Sequence, residues 1–135
     1  MGRQPTSPPE ERRNQALDCI PVRNPEVRAE ATGQGLLLSY PVEVRPWFRG
    51  ILRHVTGNPG IVTRKLQLDS LGSSVWEMID DRRSVRQLAA RFQERYQVGR
   101  REAELSVTAF LRELGKRGLV AMKEKPGNQA TPRQT

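Results

Sequence analysis

Apolar positions along the chain change period once. Between Ile20 and Tyr40 they alternate loosely with polar ones: Val22, Val27 and Ala29 interleave with Arg23, Arg28 and Glu30. Pro21 and Pro25 exclude a helix there, so the segment predicts two strands. Gly33 and Gly35 bracket a turn, and Leu36-Leu37-Leu38 is a short apolar run after it, which makes a hairpin the natural reading. Ile61 to Leu68 predicts a third strand, with Arg64, Leu66 and Leu68 on one face and Thr63, Lys65 and Gln67 on the other.

Between these strands, residues 46–55 have the period of an amphipathic helix. Trp47, Phe48, Ile51, Leu52 and Val55 share one face and Arg45, Arg49 and Arg53 recur on another, with Pro46 at the first turn and Gly57-Asn58-Pro59-Gly60 as the stop. From Asp69 onward the pattern is helical. A first helix from Ser70 to about Asp80, capped by Asp69, has Leu71, Val75, Met78 and Ile79 spaced for one buried face. Ser84-Val85-Arg86-Gln87 is a capping box and opens a second helix with Val85, Leu88, Ala89, Phe92 and Tyr96 inward. A third, from about Arg100 to Arg117, carries Ala103, Val107, Phe110, Leu111 and Leu114, with Gly118 as its left-handed stop. Val120-Ala121-Met122 adds a closing strand. Strands, then three helices, then a strand predict an α+β fold: a winged helix-turn-helix with a small N-terminal antiparallel sheet of about three strands.

Composition trims this picture at both ends. Residues 1–16 and 123–135 hold few bulky apolar groups and are expected to be disordered tails around a single domain at 17–122, with 41–60 as an insertion. The 135 residues carry 23 Lys and Arg against 15 Asp and Glu, a net +8, spread without a long like-charge block. That diffuse field suits an anionic partner without naming one.

The same inventory excludes much chemistry. A single cysteine, Cys19, and a single histidine, His54, allow no intrachain disulfide and no Cys/His metal site, so neither metal nor cofactor is expected. The absence of an apolar run of about 20 residues argues against a membrane span, and a cytoplasmic location is the default. No phosphate-cradling glycine loop appears, and no catalytic residues are assigned.

Leu68-Asp69-Ser70-Leu71-Gly72-Ser73-Ser74-Val75-Trp76-Glu77-Met78-Ile79-Asp80, followed by Ser84-Val85-Arg86-Gln87-Leu88-Ala89, resembles the PqqD family (pyrroloquinoline quinone biosynthesis protein D). Val107, Phe110, Leu111, Leu114, Gly118 and Leu119 are similar to its closing Val-x-x-Phe-Leu-x-x-Leu-x-x-x-Gly-Leu, and Pro21-Val22-Arg23-Asn24-Pro25 to its opening strand. Three positions depart from the family pattern. Asp81 stands where the usual turn has Gly, Ser106 where an acid is common, and the 41–60 connection is longer than in the smallest members.

The resemblance implies a non-catalytic precursor-peptide recognition element. Such a domain holds the leader of a ribosomally made peptide as an added strand and presents it to a maturation enzyme, often a radical S-adenosylmethionine enzyme. Carried onto this chain, the peptide site is the strand Thr63, Arg64, Lys65, Leu66 and Gln67 with Arg101, Leu105, Thr108 and Arg112 on the third helix. On a helical wheel Leu105 falls off the core stripe, beside Arg101, Thr108 and Arg112. Arg45, Trp47, Phe48, Arg49 and Arg53 are a weaker candidate for contact with a partner or an anionic membrane surface. The competing class is a DNA-binding winged helix. Against it, the third helix sets Glu102, Glu104 and Glu113 among its arginines.

Overall fold

A computed structural model describes residues 9–43 and 61–124. Its elements are α1 (Pro9–Leu17), β1 (Ile20–Arg23), β2 (Arg28–Thr32), β3 (Gly35–Glu43), β4 (Ile61–Gln67), α2 (Ser70–Met78), α3 (Val85–Tyr96), α4 (Arg100–Lys116) and β5 (Val120–Lys123). The fold is α+β, with four helices and two antiparallel sheets among the described residues. The chain divides into two compact units, Asn24–Ser74 and the remainder.

The unit Asn24–Ser74 is built on the sheet β2-β3-β4. Arg28 to Thr32 pairs with Ser39 to Gly35, and Leu37 to Glu43 pairs with Gln67 to Ile61. Leu36, Leu38, Tyr40 and Val42 alternate onto one side with Leu66, and of these Leu38 and Tyr40 are buried. Pro41 is tolerated in the central strand because its missing N–H faces β2, beyond the last β2 pair at Arg28 and Ser39. Gly35 has no alternative residue. Its φ is +136°, and a Cβ there would collide with the Leu68 carbonyl oxygen and lie 2.7 Å from Ser73 Oγ. That close approach lets Leu36 N–H donate to Ser73 Oγ (2.8 Å) and Leu68 N–H donate to Leu36 O (2.8 Å).

The other unit packs α1, α3 and α4 with a two-stranded sheet in which β1 pairs with β5, Ile20 opposite Lys123 and Arg23 opposite Val120. Its core is Leu17, Ile20, Val75, Trp76, Ile79, Leu88, Phe92, Val107, Leu111, Leu114 and Leu119. The capping box that opens α3 forms as its sequence requires. Gln87 N–H donates to Ser84 Oγ (3.1 Å), and Ser84 N–H donates to Gln87 Oε1 (2.8 Å). Gly118 takes φ +78° after α4, and Leu119 N–H returns to Leu114 O (2.9 Å) while its side chain is buried.

Six expectations change. Residues 9–16, placed in a disordered tail, join Leu17 in α1; buried Leu17 anchors the helix, and Arg86 reaches Asp18 Oδ1 (3.3 Å) and Asn14 Oδ1 (3.5 Å). The strand expected through Val22 and Val27 is interrupted, because Asn24 turns the chain by accepting Glu26 N–H on its side chain (2.9 Å) and Val27 N–H on its carbonyl (3.1 Å). β1 is thereby released to pair with β5.

At the boundaries, residues 41–43 extend β3 and Lys123 ends β5, where an insertion and a tail were expected. Leu71 is 44% exposed instead of buried, because the small residues Gly72 and Ser73 take the inward side of that first turn. Finally, α2 stops at Met78 rather than Asp80. The Asp80 carboxylate draws the next turn around itself, accepting Arg82 N–H (3.0 Å) and Arg83 N–H (2.8 Å). The helix expected at 46–55 lies outside the described residues.

Asp81 accounts for its own departure from the family pattern. It adopts φ +65°, the left-handed conformation that glycine takes most easily, and its carboxylate accepts Arg23 N–H at 3.2 Å. Aspartate is among the few residues that tolerate this region.

Candidate functional site

β4 is the last strand of its sheet and pairs only with β3, so its outer edge has no strand partner among the described residues. The bond from Leu68 N–H to Leu36 O fixes which groups face that edge. Hydrogen-bonded pairs alternate in an antiparallel ladder, so Arg64 and Leu66 direct their main chain inward to β3. Thr63, Lys65 and Gln67 direct their N–H and C=O groups outward.

The side chains of β4 sort equally cleanly. Val62, Thr63, Arg64, Lys65 and Gln67 are exposed and Leu66 is half-buried. On one side of the sheet Lys65 stands in a cross-strand row with Ser39 and Arg28, next to the row of Thr63 and Pro41. A depression of about 500 Å3 lies on this sheet, lined by Pro25, Glu26, Arg28, Ser39, Tyr40, Pro41 and Thr63. On the other side Val62, Arg64 and Leu66 stand opposite Val42, Tyr40 and Leu38. Arg64 and Lys65 make no ion pair among the described residues, whereas the side chain of Gln67 is held by the sheet. Its Nε2 donates to Leu36 O (3.2 Å) and Leu68 O (3.0 Å).

In the other unit, α4 turns Ala103, Val107, Leu111 and Leu114 inward, and Phe110 is half-buried. Leu105 is 54% exposed, as its place on the wheel requires, with Arg101 and Arg112 exposed and Thr108 half-buried. Sequence reasoning missed Glu104. It is buried on α4 with its carboxylate 3.2 Å from Arg100 Nε, and the four-residue spacing of opposite charges was the available signal.

Trp76 packs in the core, with the Arg23 guanidinium 5.1 Å from its ring centroid. The same guanidinium donates to Ile79 O (3.1 and 2.6 Å), and Arg83 donates to Met78 O (2.9 Å), so two arginines satisfy carbonyls at the end of α2. Cys19 is half-buried. Burial, and after it the charges of Glu124 and Asp18, push its thiol above the ordinary range, which holds it in the weakly nucleophilic protonated form. Arg45, Trp47, Phe48, Arg49, Arg53 and His54 lie outside the described residues. Among the described residues no cluster of His, Cys, Asp or Glu could hold a metal ion, and no helix is long and apolar enough to cross a membrane.

The family model described as coenzyme PQQ synthesis protein D (PqqD) matches residues 61–120. Over this segment the chain is PqqD-like. The PqqD-like segment starts at the first residue of β4, runs through α2, α3 and α4, and ends on the first residue of β5. The candidate edge and the exposed face of α4 therefore both fall inside it. A solved structure, a lasso peptide synthetase B1 complexed with the leader peptide, is similar in fold, with a TM-score of 0.52 at 20% identity. The similarity covers 75% of this chain and 96% of that one. No curated protein matches the chain.

Proposed function

We propose that this PqqD-like protein is a non-catalytic peptide-recognition module. It binds the leader segment of a ribosomally synthesised precursor as a strand on β4 and presents the precursor to a maturation enzyme, of the radical S-adenosylmethionine type. The observation that carries this reading is the edge of β4 inside the PqqD-like segment, where the outward main-chain groups of Thr63, Lys65 and Gln67 have no strand partner among the described residues. In the same reading α2, α3, α4 and β5 are the helices and wing of a winged helix-turn-helix. The exposed surface of α4, Leu105 with Arg101, Thr108 and Arg112, serves the side chains of the leader. The lasso peptide synthetase B1 of similar fold is itself complexed with a leader peptide, which supports the choice of ligand. DNA reading has less support, because Glu102 and Glu113 lie exposed among the arginines of α4.

Titration of a candidate leader followed by amide chemical shifts tests the proposal. Shifts are expected along 61–67, with an interface at the small end of the specific range, roughly 1,000–1,200 Å2. Leu105→Glu should weaken binding at least about tenfold, or roughly 1.4 kcal/mol, and leave the melting temperature nearly unchanged. Shifts that avoid 61–67, or sequence-selective duplex DNA binding that survives physiological salt, would overturn the reading.

A further inference from the structure

The side chains of β4 carry a second layer of information beyond its open main chain. A strand laid along an edge places each of its residues directly opposite one residue of that edge, and such cross-strand pairs interact through both side chains. The pattern of an unknown strand is therefore legible from the pattern of the strand that receives it. β4 offers Val62, Thr63, Arg64, Lys65 and Leu66 as five consecutive receiving positions.

These positions are not alike. Val62 is 40% exposed and Leu66 half-buried, and both stand on the side of the sheet that also carries Leu38 and Val42. A partner residue opposite either one extends an apolar row. Arg64 and Lys65, pointing to opposite sides, are exposed cations without an ion pair among the described residues. β4 contains no acidic residue, and behind Lys65 its row continues through Ser39 to a third cation, Arg28. Like charges opposite one another are destabilising and opposite charges favourable, so both central positions select against a basic strand and for an acidic one. Thr63 accepts any small polar residue.

Resting on the strand-addition reading above, we infer that the ligand of this edge is an acidic-centred segment with apolar ends. Every pair in this sheet is antiparallel, and the ligand adds in the same sense. Read from its N-terminus, opposite Leu66 through Val62, the segment is apolar, acidic, acidic, polar, apolar. The apolar ends give contact area on one side of the sheet. The two acids fix register, because a slip by one residue moves every side chain to the wrong side.

The test uses two synthetic peptides, acetyl-Ser-Val-Glu-Glu-Thr-Val-Ser-amide and its counterpart with Lys-Lys at the centre, titrated into the full chain with amide shifts as the readout. The Glu-Glu peptide should bind at least tenfold more tightly, with shifts along 61–67. The double variant Arg64→Glu/Lys65→Glu should reverse the preference, since both substituted positions are exposed and should leave the melting temperature close to that of the parent. Equal binding of both peptides along 61–67, or a preference that the double variant does not reverse, overturns the acidic-centred inference and leaves strand addition standing. If neither these peptides nor the candidate leader shifts 61–67, strand addition falls with it.

Discussion

The two antiparallel sheets among the described residues make opposite use of the same backbone pattern. β1 and β5 pair over four residues, and Ile20, Pro21 and Val120 in them are buried in a unit otherwise made of helices. β4 pairs with β3 over seven residues, yet nearly all of its own side chains face solvent. The short sheet closes two distant parts of the chain around a helical core. The long one puts few of the edge strand's side chains into a core and leaves its outer main chain without a strand partner among the described residues. In the proposed reading recognition belongs to the second sheet: β1 and β5 each also have one edge without a strand partner among the described residues, but Ile20, Pro21 and Val120 commit them to the core, whereas the side chains of β4 leave the strand accessible.

The sharpest way to break this comparison is to attack the helical core. Leu111 is 1% exposed on the inward stripe of α4. Leu111→Glu removes a buried leucine and sets a carboxylate at a fully buried position of the apolar stripe, and should cost at least about 4 kcal/mol, enough to unfold many domains. A cooperative thermal melt preserved near the parent temperature would show that stability does not reside there.

The long sheet has its own most vulnerable point away from the β4 edge. Gly35→Val forces a β-branched residue into φ +136° and drives its Cβ onto the Leu68 carbonyl and Ser73 Oγ, so about 2–4 kcal/mol should be lost. Chemical denaturation measures it. A variant as stable as the parent would mean that the Gly35 turn does not hold β3 against the end of β4.

What was legible in the sequence follows the same division. The capping box at Ser84, the stripe of α4 and the exposure of Leu105 could be read because helical period and capping act over three or four residues. The hairpin and β4 were legible too, from local alternation and glycine. The pairing of β1 with β5 was not, because nothing within twenty residues of Val22 indicates that its partner is Ala121. α1 was equally hidden. Its nine residues are polar nearly throughout, and what anchors them is one leucine and a contact with Arg86, far away in sequence. Within the candidate site, the outward main chain at Thr63 and Lys65 needed the register of β3 against β4, which sequence alone does not supply.

A smaller effect tests whether the turn after α2 is set by backbone or by charge. Asp81→Gly relieves a left-handed residue, worth about 1 kcal/mol, and loses the bond from Arg23 N–H, worth about 0.5–1.5 kcal/mol. The two should nearly cancel, leaving stability within about 0.5 kcal/mol of the parent. Asp81→Ala also loses the bond but keeps the strain, and should be less stable than Asp81→Gly by about 1 kcal/mol. Equal stability of the two variants would remove the conformational part of this account.

The smallest expected effect is a pH dependence one residue earlier. Asp80 is exposed, and its carboxylate is held below the ordinary aspartate range, first by the N–H of Arg83, then by that of Arg82, with the Arg83 guanidinium adding to both. The folded state thus favours the ionised form more than the unfolded chain does, and the stabilisation is complete above the ordinary aspartate pKa. As the pH falls through the lowered folded-state value, the folded state takes up the proton and that stabilisation disappears. Asp80→Asn keeps an oxygen able to accept the two N–H groups and removes only the charge. The parent should therefore melt slightly above Asp80→Asn at neutral pH, with the difference closing as the solution is acidified through the aspartate range. Added salt should shrink it as well, because the site is open to solvent. A difference that stays constant from neutral to strongly acid pH would mean that shape, rather than ionisation, makes Asp80 the pivot of this turn.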